Sequence, residues 1–166
     1  MIQKKVCMVG FFATGKTSLV RRFVHSKFAD KYLSTVGVKI DRKEVAVDGN
    51  GVNLLLWDLE GRDGVQDLQT SYLRGSSGII YVVDGTRRET YERVHELRES
   101  VLGAVGEVPA VVALNKADLA DQWALTDGDR DALAGLAWHV FTTSAKTGDG
   151  VEEAFLWLAE KMVKAS

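Results

Sequence analysis

Five short, mostly apolar runs punctuate the chain: Val6–Val9, Leu54–Trp57, Ile79–Val83, Ala110–Leu114 and Trp138–Phe141. Runs of this length predict strands buried on both faces, the habit of parallel sheets covered by helices. Amphipathic stretches separate them, with apolar residues at helical spacing: Leu19, Val20, Phe23 and Val24; Tyr91, Val94, Leu97 and Val101; Val151, Phe155, Leu158 and Met162. One segment differs. Val38 and Ile40 alternate with Lys39 and Asp41, and Asp48-Gly49-Asn50-Gly51 then offers a tight turn, so an antiparallel edge pair is predicted there. The pattern describes an α/β fold: a mostly parallel six-stranded sheet with one antiparallel edge strand and helices on both faces. Ligands of such sheets bind beyond the carboxyl ends of the strands.

The length of 166 residues suits one domain, and neither an internal repeat nor a linker divides it, so residues 1–166 are expected to fold as a unit. With 46% hydrophobic and 27% charged residues, one Pro and 16 Gly, the composition is that of a water-soluble globule. A net charge of −2 argues against whole-surface attraction to nucleic acid or anionic membrane. That small number conceals a split. Residues 1–29 hold six basic side chains (Lys4, Lys5, Lys16, Arg21, Arg22 and Lys27) and no acidic one, leaving 15 basic against 23 acidic residues, or −8, in the rest. Arg21 and Arg22 read as the outer face of the first helix, with a basic patch for an acidic partner or lipid headgroups as the alternative. A single cysteine, Cys7, excludes an internal disulfide and sits in an apolar run, which implies a buried residue and a reducing, cytoplasmic setting. Lys4-Lys5 and the apolar residues after them imitate a secretory signal, but no small-residue cleavage site follows, and cleavage would remove the most informative motif in the chain.

That motif is Gly10-Phe11-Phe12-Ala13-Thr14-Gly15-Lys16-Thr17, which matches G-x-x-x-x-G-K-[ST] between a predicted strand and a predicted helix. An accidental match somewhere in a chain this long has a probability on the order of 1% from average composition, so a phosphate cradle is the stronger reading. Backbone N–H groups from Ala13, Thr14, Gly15, Lys16 and Thr17 can converge on phosphate oxygens, with Ser18 closing the set. Lys16 can reach the outer phosphates, and the Thr17 hydroxyl can ligate Mg²⁺. At the end of the Leu54–Trp57 run, Asp58-Leu59-Glu60-Gly61 would set a carboxylate near the metal and the Gly61 N–H near a terminal phosphate. Asn115-Lys116-Ala117-Asp118 follows the Ala110–Leu114 run, and a carboxylate there can accept both N1–H and the exocyclic amine of guanine, a donor pair adenine lacks. Thr143-Ser144-Ala145-Lys146 follows the last run and can turn a backbone N–H toward the guanine O6.

These elements, in this order and over essentially the whole chain, resemble the Ras superfamily of small GTPases, whose fold is a P-loop NTPase G domain. Thr17-Ser18-Leu19-Val20-Arg21-Arg22-Phe23, Lys27-Phe28 and Tyr32-Leu33-Ser34-Thr35-Val36-Gly37-Val38 look most like the Rab and Ras branches, and Tyr81-Val82-Val83-Asp84 is similar to the Arf branch; no branch is assigned. The resemblance implies that Thr35 joins Mg²⁺ when the γ-phosphate is present, giving Thr17, Thr35 and Asp58 as the metal set. It implies that Phe28 packs on guanine, that Gly61 contacts the γ-phosphate, and that Asn115, Lys116, Asp118, Ser144, Ala145 and Lys146 form the base pocket. The implied ligands are GTP, GDP and Mg²⁺. The implied partners are protein effectors, with an exchange factor or GTPase-activating protein, at the loops near residues 28–38 and 59–74.

The sequence also departs from the family. Arg62 stands where Gln usually follows D-x-x-G to orient the attacking water, and a guanidinium cannot accept a hydrogen bond. Phe12 stands where a small residue is common beside the γ-phosphate, and Glu60 adds a carboxylate near an anionic ligand. The catalytic candidates are therefore Lys16, Thr35 and Gly61 with Glu60 and Arg62, and three readings stay open. Hydrolysis is slow and aided by a partner; or Glu60 orients water while Arg62 stabilises charge in cis; or the protein is a GTP-locked interaction module that scarcely hydrolyses. A P-loop kinase of small molecules is disfavoured, because the base-reading segments are present and no lid is evident. The chain ends at Met162-Val163-Lys164-Ala165-Ser166 with no cysteine beyond Cys7, and Ile2 follows Met1, so no lipid anchor is visible. Two alternatives follow: a tail-less switch of the kind found in prokaryotes, or a GTPase domain trimmed of its tail.

Overall fold

The computed structural model describes residues 2–11, 13–25, 38–59, 70–137 and 139–165. Its elements run β1 (Ile2–Gly10), α1 (Lys16–His25), β2 (Val38–Val47), β3 (Asn50–Leu59), α2 (Thr70–Leu73), β4 (Gly78–Asp84), α3 (Arg88–Val105), β5 (Ala110–Asn115), a 3₁₀ turn (Ala120–Gln122), α4 (Asp127–Ala134), β6 (His139–Thr142) and α5 (Val151–Ala165). The six strands form one sheet in the order β2-β3-β1-β4-β5-β6. Among the described residues only the β2–β3 pair is antiparallel; β3, β1, β4, β5 and β6 run parallel to one another.

The uninterrupted apolar runs of β1, β4 and β5 have a direct cause, because both faces of the sheet are covered there; in β3, next to the edge strand, Leu54 and Leu56 are buried while Leu55 and Trp57 are only partly so. Val6 and Met8 of β1, Ile80 and Val82 of β4, and Val111 and Ala113 of β5 pack with Leu19, Phe23, Phe155 and Leu158 of α1 and α5. The alternate residues, Cys7, Val9, Ile79, Tyr81, Val83, Val112 and Leu114, pack with Leu73, Val94, Leu97 and Leu133 of α2, α3 and α4. Phe23 stacks flat on Phe155 with ring centroids 4.2 Å apart, which joins α1 to α5.

The hairpin is built at Asp48-Gly49, whose φ values of 51° and 80° are both positive, as a two-residue turn of the type that suits twisted strands requires. Val38 and Val47 pair with Leu59 and Asn50 at its two ends. Ile40 shares a face with Val38, which packs against the second apolar layer, yet it is 52% exposed among the described residues. The last strand also differs from a run buried on both faces. Trp138 lies outside the described residues, and of β6 only Val140 is buried, because this strand borders β5 alone and forms the open edge of the sheet. His139 there stacks against Trp157 of α5 at 5.2 Å. Beside the site, α4 starts with a reciprocal cap between Thr126 and Asp129. The Asp129 carboxylate also accepts both guanidinium arms of Arg88, at 2.6 and 3.0 Å, which ties α4 to the start of α3. Among the described residues no helix is long and apolar enough to cross a membrane.

Candidate functional site

The strand order reverses about β1, and the carboxyl end of that strand is where the site lies. β1 ends at Gly10, where a Cβ would come within 2.6 Å of the Val82 carbonyl of β4 and 2.9 Å of Thr14 Oγ1. The following loop needs a left-handed backbone at Ala13 (φ 61°) and Gly15 (φ 103°). A Cβ on Gly15 would also fall 2.2 Å from Asn115 Nδ2. Both glycines of the motif are thus required by close approach, and Gly15 by its φ as well. Thr14 closes the loop by donating to the Phe11 carbonyl at 3.0 Å, and Lys16, almost buried, folds back to donate to the Gly10 carbonyl at 3.2 Å. The first helical bond, Leu19 N–H to the Gly15 carbonyl, leaves the preceding amides at the positive end of α1.

Thr17, in the first turn of α1, donates its hydroxyl to Oδ2 of Asp58, which β3 delivers from the neighbouring strand and which is 1% exposed. A hydroxyl and a carboxylate brought together beside an N–H-lined loop are hard oxygen donors of the kind Mg²⁺ takes. With the glycine-shaped cradle next to them, they fit a magnesium–phosphate ligand. Ser18 lies half-buried on the same first turn.

The opposite wall comes from β5 and the segment after β6. Asn115, buried at the end of β5, donates from Nδ2 to the Thr14 carbonyl at 3.1 Å and accepts at Oδ1 from the Thr143 hydroxyl at 3.2 Å. Lys116 adopts φ 71°, and its ammonium donates to the Ala13 carbonyl at 3.2 Å while lying 2.7 Å from Asp84 Oδ2. Asp118 accepts at Oδ1 from the Ser144 hydroxyl at 2.7 Å. The Ser144 oxygen in turn receives the Thr147 N–H at 3.1 Å. Two segments about a hundred residues apart in sequence are therefore bonded directly to one another.

Thr17 and Asp58 meet beside the loop along which Lys16 folds back, and Asn115 and Lys116, with the Asp118–Ser144 pair near them, face that loop from the other side through bonds to the Thr14 and Ala13 carbonyls. Ala145 is buried and Lys146 exposed in the loop after β6. Phe12, Phe28, Thr35, Glu60, Gly61 and Arg62 lie outside the described residues.

The reading of Arg22 as an outer-face residue is corrected. Its guanidinium turns back from α1 to the loop after β6, donating from Nε to the Ala145 carbonyl at 2.7 Å and from Nη2 to the Lys146 carbonyl. Arg21 does not stand clear in solvent either, since its Nε is buried. Sequence reasoning also missed Asp84 as part of this wall. Burial works against its charge, but hydrogen bonds from Lys116 and Thr86 together outweigh that cost and hold its carboxyl below the ordinary carboxylate range. A charged residue ending the apolar run Ile79–Val83 at a strand's carboxyl end was the available signal.

A phosphate loop on the central strand, cross-tied to a second loop that presents a carboxylate, is the layout of a P-loop nucleotide-binding domain. The sequence matches the profile of the Ras family over residues 5–164. It is 35% identical over 154 residues to "Ras-related protein Rab-4" of Dictyostelium discoideum, covering 92% of this chain and 75% of that protein. It is 32% identical to "Ras-related protein Rab-1" of Theileria annulata (95% of this chain, 73% of the relative) and 34% identical to "GTP-binding protein YPTM1" of Zea mays (97% and 78%). The chain belongs to the Ras family and is a small GTPase of the Ras superfamily.

Proposed function

We propose that residues 1–166 form a single-domain guanine-nucleotide switch that binds GTP and GDP with magnesium and hydrolyses GTP slowly. The observation that carries this reading is the pair of cross-ties between the loops, Asn115 to the Thr14 carbonyl and Lys116 to the Ala13 carbonyl. They hold the Gly10–Thr17 loop and the Asn115–Asp118 segment in one frame, which supports a reading in which the first binds phosphate and Asp118 of the second binds the base.

In this reading the amides from Ala13 to Ser18 and the Lys16 ammonium bind the phosphates, and Asp118 selects guanine by accepting from its N1–H and exocyclic amine. Asn115 sets the spacing between the two loops, Lys116 flanks the base, and the Ser144–Lys146 loop, braced by Arg22, offers a backbone N–H to O6. Magnesium, held through Thr17, Thr35 and Asp58, supplies charge neutralisation at the β- and γ-phosphates. Lys16 stabilises negative charge that develops on the outer phosphates during cleavage, because its ammonium is already directed along the loop. Phe28 packs on guanine, and Thr35 and Gly61 report the γ-phosphate. Their loops, near residues 28–38 and 59–74, bind an effector in one nucleotide state and release it in the other. Exchange and GTPase-activating factors act on the same loops, and the single buried Cys7 suits a cytoplasmic setting.

Arg62 in the position of the water-orienting Gln favours slow turnover, and a GTP-locked module is the second reading on the same ground. Two measurements test the proposal. The nucleotide that co-purifies should be guanine-based, and ATP bound more tightly than GTP would overturn the guanine assignment. Single-turnover hydrolysis of bound GTP by wild type, Glu60→Ala and Arg62→Ala then separates the readings: slow but measurable turnover supports the switch, and GTP that stays intact supports the locked module.

A further inference from the structure

Asp84 ends β4 with a charge after five apolar residues and is fully buried. Its two oxygens have separate partners. Oδ1 accepts from the Thr86 N–H at 2.9 Å and the Thr86 hydroxyl at 2.6 Å, which fixes the loop that follows the strand. Oδ2 faces cations: Arg87 Nε at 3.0 Å and Lys116 Nζ at 2.7 Å. From there Lys116 reaches the phosphate loop through its bond to the Ala13 carbonyl. Among the described residues of the site, Ala13 and Lys116 are also the two non-glycine ones with left-handed backbone, at φ 61° and 71°. Such conformations persist only where their surroundings over-determine them. Here one ammonium ties the two residues together, and Asp84 fixes that ammonium from behind. A lysine on a flexible stem would otherwise move toward whatever anion the cradle holds.

We propose that Asp84 is a positioning residue of the nucleotide site, holding the Lys116 ammonium against the Ala13 carbonyl so that the phosphate and base loops keep one spacing and the bound nucleotide is retained. The inference rests on the guanine-nucleotide reading given above. It assigns Oδ2 a role in ligand retention that Oδ1, the loop anchor, does not share.

The test separates the two oxygens. Asp84→Asn keeps the size and leaves an acceptor for Thr86 but removes the charge facing Lys116, whereas Thr86→Ala removes the hydroxyl bond to Oδ1, keeps the backbone N–H bond, and leaves the charge. Release of N-methylanthraniloyl-GDP into excess GDP with Mg²⁺ is followed for each variant, alongside its melting curve. Asp84→Asn is expected to release about tenfold faster, the scale of a hydrogen bond to a charged group. Thr86→Ala and Arg87→Gln are expected within about twofold of wild type, given that neither removes the Lys116 pairing. The double variant Asp84→Asn/Lys116→Met should release no faster than Lys116→Met alone, because the effect passes through Lys116. Unchanged release in Asp84→Asn, equal acceleration by Thr86→Ala, or additive effects in the double variant would each overturn the proposal. If Asp84→Asn alone does not melt cooperatively, the double variant against Lys116→Met decides, since it removes both charges together. A wild type that retains no labelled GDP overturns the guanine reading itself, whereas a wild type that retains it with Asp84→Asn unchanged overturns only this inference.

Discussion

At the scale of single residues, the site is governed by close approach and by charge. Gly15→Ala would need a side chain 2.2 Å from the Asn115 amide on a backbone at φ 103°, so loop and base strand cannot keep their cross-tie. Affinity for labelled GDP should fall by at least about tenfold, as for a site strained by about 1.4 kcal/mol or more, and equilibrium titration checks this. Cys7 behaves in the opposite sense to a reactive thiol. Burial pushes its pKa up despite the Ser76 hydroxyl at 3.1 Å, so an aromatic disulfide reagent should leave it unmodified in the folded protein and modify it once denaturant is added. Asp84 adds a pH dependence of definite sign. Its carboxyl titrates lower in the folded protein than in the unfolded chain, so its contribution is complete above the unfolded carboxylate range, about pH 4, and is lost as the pH falls through the lower, folded value. Denaturant melts between pH 6 and pH 3 should therefore show wild type losing more stability on acidification than Asp84→Asn.

At the scale of elements, two connections decide how the site is held. Arg22 straps α1, whose first turn carries the phosphate cradle, to two successive carbonyls of the loop after β6. This also gives one of the excess basic residues of the N-terminal segment an internal partner, and Lys5 gains another: its ammonium caps the Tyr72 and Arg74 carbonyls at the end of α2, 3.7 Å from the Trp57 ring centroid. Arg22→Ala should speed GDP release severalfold with little change in melting temperature, because the strap orders a loop rather than a core; a stopped-flow release assay reads it directly. Gly85, between β4 and α3, lies under Trp123, where a Cβ would sit 2.0 Å from the indole ring. Gly85→Ala should cost about 1–3 kcal/mol, the usual range for overpacking, as measured by urea unfolding.

At the scale of the whole molecule, the sheet is a shared wall between two apolar layers, and the proposed nucleotide site lies where strands from both halves end. A ligand that binds only the folded state stabilises it by mass action, by about 2.7 kcal/mol at a hundredfold excess over its dissociation constant. GDP with Mg²⁺ should therefore raise the melting temperature where ATP with Mg²⁺ at the same concentration does not, and equal shifts would remove the basis for guanine selectivity. Much of this architecture was legible in advance. A strand covered on both faces must be apolar throughout, and a loop must have glycine where its backbone meets another strand, so β1, β4 and β5, the helices α1, α3 and α5, and the Gly10–Thr17 loop are written in local residue order, whereas the short α2 and α4 carry no apolar stretch long enough to announce them. The hairpin was legible for the same reason, since Asp48-Gly49 needs a positive φ at both positions. What local order could not contain was the partner of each polar group. That Arg22 faces the loop after β6, that β6 is an edge strand and that Asp84 stands behind Lys116 all depend on which segments the sheet order makes neighbours. Strand identity follows from short-range periodicity, whereas pairing between residues about a hundred positions apart exists only once the tertiary structure has closed.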